Sequence, residues 1–158
     1  KILSIDTNHF DSMVLLSNIL AMNKNFIRAK ELLNRANAIK PNNLSVLNNL
    51  GTACKELGDF KRAVSFYEKA IRIDPNHTNA LYNSGVISHG LRELKKAKNF
   101  FKNATEIQPN FAMAFVNLAN VCVDLKEYEN ALSNYQKAIE INPKIVSAHN
   151  NLGLVLEN

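Results

Sequence analysis

The sequence contains few of the residues that build catalytic and metal sites. Its 158 residues include two cysteines and four histidines, and the histidines have neither metal-ligand spacing nor a nucleophile-and-base arrangement. Its five glycines are spread along the chain, so there is no glycine-rich phosphate loop. We therefore predict that these residues form no enzyme active site and bind neither a metal ion nor a cofactor.

Long apolar runs are missing as well. The longest apolar passage, FAMAFVNLANVCVDL, is interrupted by Asn117 and Asn120 and is shorter than the roughly 20 residues that a membrane-spanning helix needs. We therefore expect no membrane segment. A composition with 46% hydrophobic and 21% charged residues is ordinary for a soluble globular protein, and we expect a cytoplasmic location.

The sparse prolines reveal an internal repeat. A fixed period of 20 to 50 residues marks a repeat architecture. The prolines recur every 34 residues, at Pro41, Pro75, Pro109 and Pro143. Two columns of alanine and one of small residues keep the same period: Ala29, Ala63, Ala97 and Ala131; Ala36, Ala70, Ala104 and Ala138; Ser17, Gly51, Gly85, Ala119 and Gly153. The chain is therefore one unit repeated.

Each unit has the pattern of two helices. In LSVLNNLGTACKELG, the apolar residues Leu47, Leu50 and Cys54 recur at steps of three and four residues, which is helical spacing. Gly58 is suited to end this helix and Asp59 to cap a second one. The repeated proline cannot continue the second helix. The sequence thus predicts a helical hairpin in every unit.

These columns resemble the tetratricopeptide repeat (TPR), a 34-residue helical hairpin with a Leu-Gly, alanine and proline pattern. The resemblance implies an all-α fold, a right-handed α-solenoid of antiparallel helix hairpins in a single array. It covers the whole chain: full units at 10–43, 44–77, 78–111 and 112–145, and partial units at 1–9 and 146–158. Because both ends fall inside helices, we expect a fragment of a longer protein.

The sequence departs from the TPR pattern at two places. The large residue early in the first helix is never tryptophan, which the chain lacks. The glycine between the two helices is kept only at Gly58, while Lys24, Arg92 and Lys126 occupy this place in the other units. The sequence therefore leaves the turn geometry open.

The two cysteines, Cys54 and Cys122, occupy the same column two units apart. Helices pack about 10 Å apart, so two hairpins separate these thiols by more than the roughly 4.4–6.8 Å between Cα atoms that a disulfide permits. We predict two buried, inert thiols, which fits a reducing compartment.

The net charge of +5 raises the question of nucleic-acid binding. The densest basic stretch, LRELKKAKNFFK, begins and follows a second helix, whose polar side faces outward in a stack of hairpins. The first-helix positions, in contrast, are mostly neutral. We therefore predict a solvated outer face and regard nucleic acid as an unlikely partner.

One asparagine column on the first helices points to a peptide ligand. In stacked hairpins, the polar sides of successive first helices form one concave wall. The residue before each Leu-Gly place is Asn49, Asn83, Asn117 and Asn151. A carboxamide carries a donor and an acceptor, as each peptide unit does, so such a row can hold an extended chain by its backbone. The alternative is that these asparagines merely suit a polar helix surface.

Neighbouring positions in this wall would supply selectivity. They are neutral, and some are moderately apolar: Asn48, Tyr82, Val116 and Asn150 one place before the asparagines, and Thr52, Val86 and Asn120 three places after them. Together with the asparagine column, they form the predicted peptide-binding groove.

Two function classes fit this groove. The first is a protein–protein interaction scaffold that binds an extended peptide of unknown identity. The second is the substrate-recognition arm of a larger enzyme, because the array is similar to the TPR arm of O-GlcNAc-type glycosyltransferases, and bacterial sulfotransferases carry similar arms. Both classes use the same groove, and only the second requires a catalytic domain, which would lie outside these residues.

The partial units at the two ends predict self-association. Their apolar faces lack the partner helix that covers such a face in a complete unit; the residues concerned include Ile2, Ile5, Leu152 and Leu156. Exposed apolar stripes associate with one another, so we expect end-to-end contacts at high concentration.

Overall fold

A computed structural model describes residues 9–157, and the helix tail predicted at 1–9 lies outside them except for His9. This part of the chain consists of nine helices and contains no strand. They are α1 (Phe10–Met22), α2 (Phe26–Ile39), α3 (Leu44–Glu56), α4 (Phe60–Ile73), α5 (Thr78–Gly90), α6 (Leu94–Ile107), α7 (Ala112–Asp124), α8 (Tyr128–Ile141) and α9 (Val146–Leu156). The predicted all-α fold is confirmed.

The helices belong to two compact units. Unit 1 (residues 1–75) contains the hairpins α1–α2 and α3–α4, with α3 packed on α2. Unit 2 (residues 76–158) contains the hairpins α5–α6 and α7–α8, followed by α9. In both units each first helix also contacts the next first helix, as α1 does α3 and α7 does α9. The first helices therefore form one side of each unit.

The same turn closes all four hairpins. Gly58 has a φ of 77°, and the non-glycine residues at its place, Lys24, Arg92 and Lys126, have φ values of 58°, 62° and 61°. After α3, the Gly58 N–H donates to the carbonyl of Lys55 at 3.0 Å, which satisfies one of the last helix carbonyls. The turn that the sequence left open is thus a left-handed helix end in every hairpin, whichever residue stands there.

Short polar residues begin the second helices of unit 1. Asp59 accepts a hydrogen bond from the backbone N–H of Arg62 at 3.1 Å, and Asn25 accepts one from Arg28 at 3.3 Å. This confirms the cap predicted at Asp59. The backbone hydrogen bond from Arg62, together with that residue's side chain, lowers the pKa of the Asp59 carboxyl.

Aromatic rings on second helices pack against the column of small residues. Tyr67 and Phe101 are fully buried, and a Cβ atom added to Gly51 would come within 2.5 Å of the Tyr67 ring. One added to Gly85 would come within 2.7 Å of Phe101. The absence of a side chain therefore lets the two helices of a hairpin approach closely. Gly153 in α9 has no neighbour within 4 Å of such an atom.

The two cysteines are free and buried, as predicted. Cys54 belongs to unit 1 and Cys122 to unit 2. Burial raises the pKa of each thiol, because the thiolate would lose its hydration. Both thiols are therefore held in their unreactive, protonated form.

Candidate functional site

The candidate site lies on the exposed side of the first helices, here called the first-helix face. In unit 2 this face contains Asn83 of α5, Asn117 of α7 and Asn151 of α9, all of them partly exposed. In unit 1, Asn49 of α3 has the equivalent place. The predicted asparagine column therefore reaches the surface in both units.

Two of these asparagines bridge successive first helices. In unit 1 the Asn49 amide donates to Asn18 Oδ1 at 2.8 Å, and in unit 2 the Asn151 amide donates to Asn120 Oδ1 at 3.0 Å. Donor and acceptor are 31 residues apart in both pairs, so the contacts are equivalent. These asparagines therefore position one helix against the next, a role that neither interpretation of the column predicted. Asn18 was missed, although it shares the column of Asn120.

Asn117 makes a different bond. Val86, which offers no acceptor, stands where Asn18 and Asn120 stand in the other two pairs. The Asn117 amide instead donates to Tyr82 Oη at 2.9 Å. Both residues lie on the first-helix face of unit 2, so the structure brings together two of the predicted groove residues.

Tyr82 is held by its ring as well as by its hydroxyl group. The ring centroid lies 4.8 Å from that of Phe111 and 5.8 Å from that of Phe101. Partial burial raises the pKa of the Tyr82 hydroxyl, while the hydrogen bond from Asn117 acts in the opposite direction. The side chain therefore has a fixed orientation on the face, with its polar end towards Asn117.

The structure corrects the prediction for Val116. Its side chain is only 2% exposed and belongs to the buried core of unit 2, against which Tyr82 packs. It can therefore not contact a ligand on the surface. Sequence spacing placed it correctly on the helix, but it could not show that the neighbouring helix covers it.

The other predicted residues differ in exposure and bonding. Thr52 and Asn48 are half-buried in unit 1, where Thr52 Oγ1 lies 3.1 Å from Tyr67 Oη and donates to the Asn48 carbonyl at 3.1 Å. Asn150 of α9 is exposed. Asn83 is partly exposed, and its amide donates to the carbonyl of Asn79 within α5 at 2.9 Å.

The basic stretch is largely neutralised. Arg92 lies 2.9 Å from Asp124, Lys96 lies 3.6 Å from Glu93, and Lys102 lies 3.7 Å from Glu106. Lys98 pairs with Glu127, and this hydrogen bond lowers the pKa of the glutamate. Pairing with acidic residues agrees with the interpretation of this stretch as an ordinary solvated surface.

Residues 9–157 contain no group of three or more histidine, cysteine, aspartate or glutamate side chains placed to hold a metal ion. No helix in this range is long and apolar enough to cross a membrane.

Three family profiles match the chain. The profile described as "TPR repeat" matches residues 119–158, and two described as "Tetratricopeptide repeat" match residues 45–77 and 78–111. No curated protein sequence is a significant match.

Several solved structures have a similar fold. PilF from Pseudomonas aeruginosa has a TM-score of 0.87 and 21% identity, over 94% of this chain and 68% of that one. MamA from Desulfovibrio magneticus RS-1 has a TM-score of 0.84 and 23% identity, over 95% and 84%. YrrB, described as a TPR protein with an unusual peptide-binding site, has a TM-score of 0.78 and 25% identity, over 92% and 75%.

Proposed function

Because the chain is a tetratricopeptide repeat protein, we propose that it is a protein–protein interaction scaffold that binds an extended peptide segment on the first-helix face of unit 2. The peptide backbone is the main recognised feature, and side chains on either side of the asparagines select the sequence. The occupied part of the face includes Tyr82, Asn83, Asn117 and Asn151.

The observation that carries this proposal is the pair formed by Asn117 and Tyr82. The Tyr82 oxygen accepts from the Asn117 amide, so its own O–H remains able to donate. Among residues 9–157, no hydrogen bond reaches the Asn117 carboxamide oxygen, which remains an acceptor. One donor and one acceptor side by side complement the carbonyl and N–H groups of a peptide chain.

The pair is also preorganised. The contacts of Tyr82 with two phenylalanine rings fix its side chain before any ligand arrives. A fixed side chain loses little conformational entropy on binding, and aromatic side chains combine a large contact area with few rotatable bonds. YrrB, a protein of the same fold with a described peptide-binding site, supports the same class of ligand.

The experiment begins with 12-residue peptides selected from a random display library on the 158-residue chain. Their affinities are then measured for the double variant Asn83→Ala, Asn117→Ala. Each lost hydrogen bond contributes about 0.5–1.5 kcal/mol, so the loss of two should weaken binding by about 5- to 150-fold. Because the contact is to the backbone, the loss should be similar for all selected peptides.

Asn134→Ala is the matched control, since Asn134 makes the same bond to the carbonyl four residues earlier as Asn83 does, but on a second helix. It should leave the affinities unchanged, and circular dichroism should show the same helicity for all variants. Unchanged affinities of the double variant would refute the proposal. A loss confined to one peptide would indicate recognition of side chains instead.

A further inference from the structure

A pocket of about 310 Å³ opens beside the asparagine column of unit 2, between α5, α7, α8 and α9. Three apolar side chains form its walls: Val123, Leu154 and Val155. Asn120 and Asn151 line its polar edge. This volume lies at the lower end of the range of about 300–1,000 Å³ found for ligand pockets, and it has room for one leucine-sized side chain. We call it the anchor pocket.

Asn120 is the hub of the polar edge. Its Oδ1 accepts hydrogen bonds from Tyr135 Oη at 2.6 Å and from the Asn151 amide at 3.0 Å. Both lone pairs of this oxygen are therefore used, which fixes the orientation of the carboxamide. Tyr135 is only 1% exposed, so its hydrogen bond attaches Asn120 to the buried core. The two N–H groups of Asn120 remain to donate to a ligand.

The charges at the rim disfavour an ionised ligand. Asp124 Oδ2 lies 2.9 Å from Arg92 Nη1 and 2.7 Å from His89 Nε2. A basic side chain would have to compete with Arg92 for this carboxylate, while an acidic one would meet a like charge. An uncharged side chain encounters neither cost, and the apolar walls favour an apolar one.

Unit 1 contains a smaller version of the same place. There Asn18 and Asn49 border a cavity of about 120 Å³. Ala21 stands at the position of Val123, and Thr52 at that of Leu154. This cavity therefore lacks the walls that Val123 and Leu154 provide in unit 2, and its volume is less than half that of the anchor pocket.

We infer that the anchor pocket binds one uncharged, apolar side chain of about the size of leucine, while Asn120 donates to the peptide carbonyl beside it. This inference rests on the proposed function and adds to it a preferred residue in the bound segment. The backbone contacts at Asn117 hold any extended chain, and the anchor pocket sets the register in which it lies.

The probe is N-acetyl-leucine N-methylamide, which carries one side chain and two peptide groups. It is titrated into the ¹⁵N-labelled 158-residue chain and followed by nuclear magnetic resonance. A ligand of this size should bind with a Kd of about 1 mM. The shifts should be largest for the side-chain amides of Asn120 and Asn151. The glycine, lysine and glutamate analogues should bind at least about fivefold more weakly.

Two variants test the walls and the hub separately. Leu154→Ala removes one apolar wall of the anchor pocket. Because Leu154 is 60% exposed, the fold should be kept while the leucine probe binds more weakly. Asn120→Asp keeps the acceptor for Tyr135 and Asn151 but removes both N–H donors, and should weaken binding by about two- to tenfold. Asn18→Asp is the matched control in unit 1 and should change nothing.

Equal binding of the glycine and leucine probes would overturn the inference, because no side chain would then be recognised. Tighter binding of the lysine probe would overturn it too and would identify Asp124 as the ligand-binding group. The proposed function can fail independently. If the selected 12-residue peptides lose affinity in the double asparagine variant but not in Leu154→Ala, backbone binding stands and the anchor pocket does not.

Discussion

Gly51→Ala should separate helix propensity from packing inside one hairpin. Alanine favours a helix by about 1 kcal/mol relative to glycine, so the substitution should be stabilising wherever space allows. At Gly51 there is no space, because the added Cβ would lie 2.5 Å from the Tyr67 ring. Tyr67 is fully buried, and its hydroxyl oxygen lies 3.1 Å from Thr52 Oγ1. The ring therefore cannot move without disturbing other contacts.

The magnitude follows from a comparison with Gly153→Ala. Overpacking of this kind costs about 1–3 kcal/mol, and it applies only at Gly51, since a Cβ at Gly153 meets no atom within 4 Å. Gly153→Ala should thus raise the free energy of unfolding by up to about 1 kcal/mol. The free energy of unfolding of Gly51→Ala should be about 1–3 kcal/mol lower than that of Gly153→Ala. Relative to the unsubstituted chain, Gly51→Ala should therefore be between neutral and destabilising by about 2 kcal/mol.

The assay is urea unfolding followed by far-ultraviolet circular dichroism. A third variant, Gly51→Ala with Tyr67→Leu, gives the introduced alanine a smaller neighbour, because leucine is the residue that faces Ser17 at the equivalent place, Leu33. Its cost should be smaller than the sum of the two single substitutions. If Gly51→Ala stabilises the chain as much as Gly153→Ala does, close packing is not the reason for glycine at this column.

Three further predictions concern the turns, the core and the ends. Lys126→Gly should stabilise the chain by about 1 kcal/mol in urea unfolding, because Lys126 has a φ of 61°, and Gly58→Ala should have the opposite effect. Burial raises the pKa of Tyr67 to about 12, so the free energy of unfolding that its neutral hydroxyl group contributes is complete below about pH 10 and is lost as the pH rises towards 12. Alkaline unfolding followed by tyrosinate absorbance checks this. Leu152, predicted to be uncovered, packs against the core of unit 2, whereas Leu156 is 68% exposed. Light scattering should therefore show self-association at millimolar concentration that Leu156→Glu weakens, and a strict monomer would contradict an uncovered end face.

The helices could be predicted from the sequence because several independent signals indicate each of them. The 34-residue columns, the helical spacing of apolar residues and the cap at Asp59 all indicate the same hairpin, and the structure confirms it. The turns were less certain, since lysine and arginine seldom adopt a positive φ. The helix ends impose this conformation on Lys24 and Arg92, as glycine adopts it at Gly58.

The site was predicted less completely. Periodicity placed the asparagines on the correct face, but it did not reveal that Asn49 and Asn151 bond to the preceding first helix. It also gave no sign that Val116 is buried, because burial depends on what the neighbouring helix places over it. Leu154 continues the column of Asn120 and could have been included. The similarity to a glycosyltransferase or sulfotransferase arm stays a prediction from sequence.

The asparagine bridges have a consequence for how such a chain grows. A 34-residue repeat with asparagine at both the donor and the acceptor position presents the donor to the preceding repeat and the acceptor to the following one. The contact is therefore head-to-tail and does not close on itself. A tandem duplication of that unit restores the bond at each new junction without any further mutation. Conversely, a change in one unit is felt in the next: where Val86 replaces the acceptor, Asn117 bonds to Tyr82 instead. A single residue in one repeat therefore decides whether the asparagine of the next repeat joins two first helices, as Asn49 and Asn151 do, or bonds to a tyrosine, as Asn117 does.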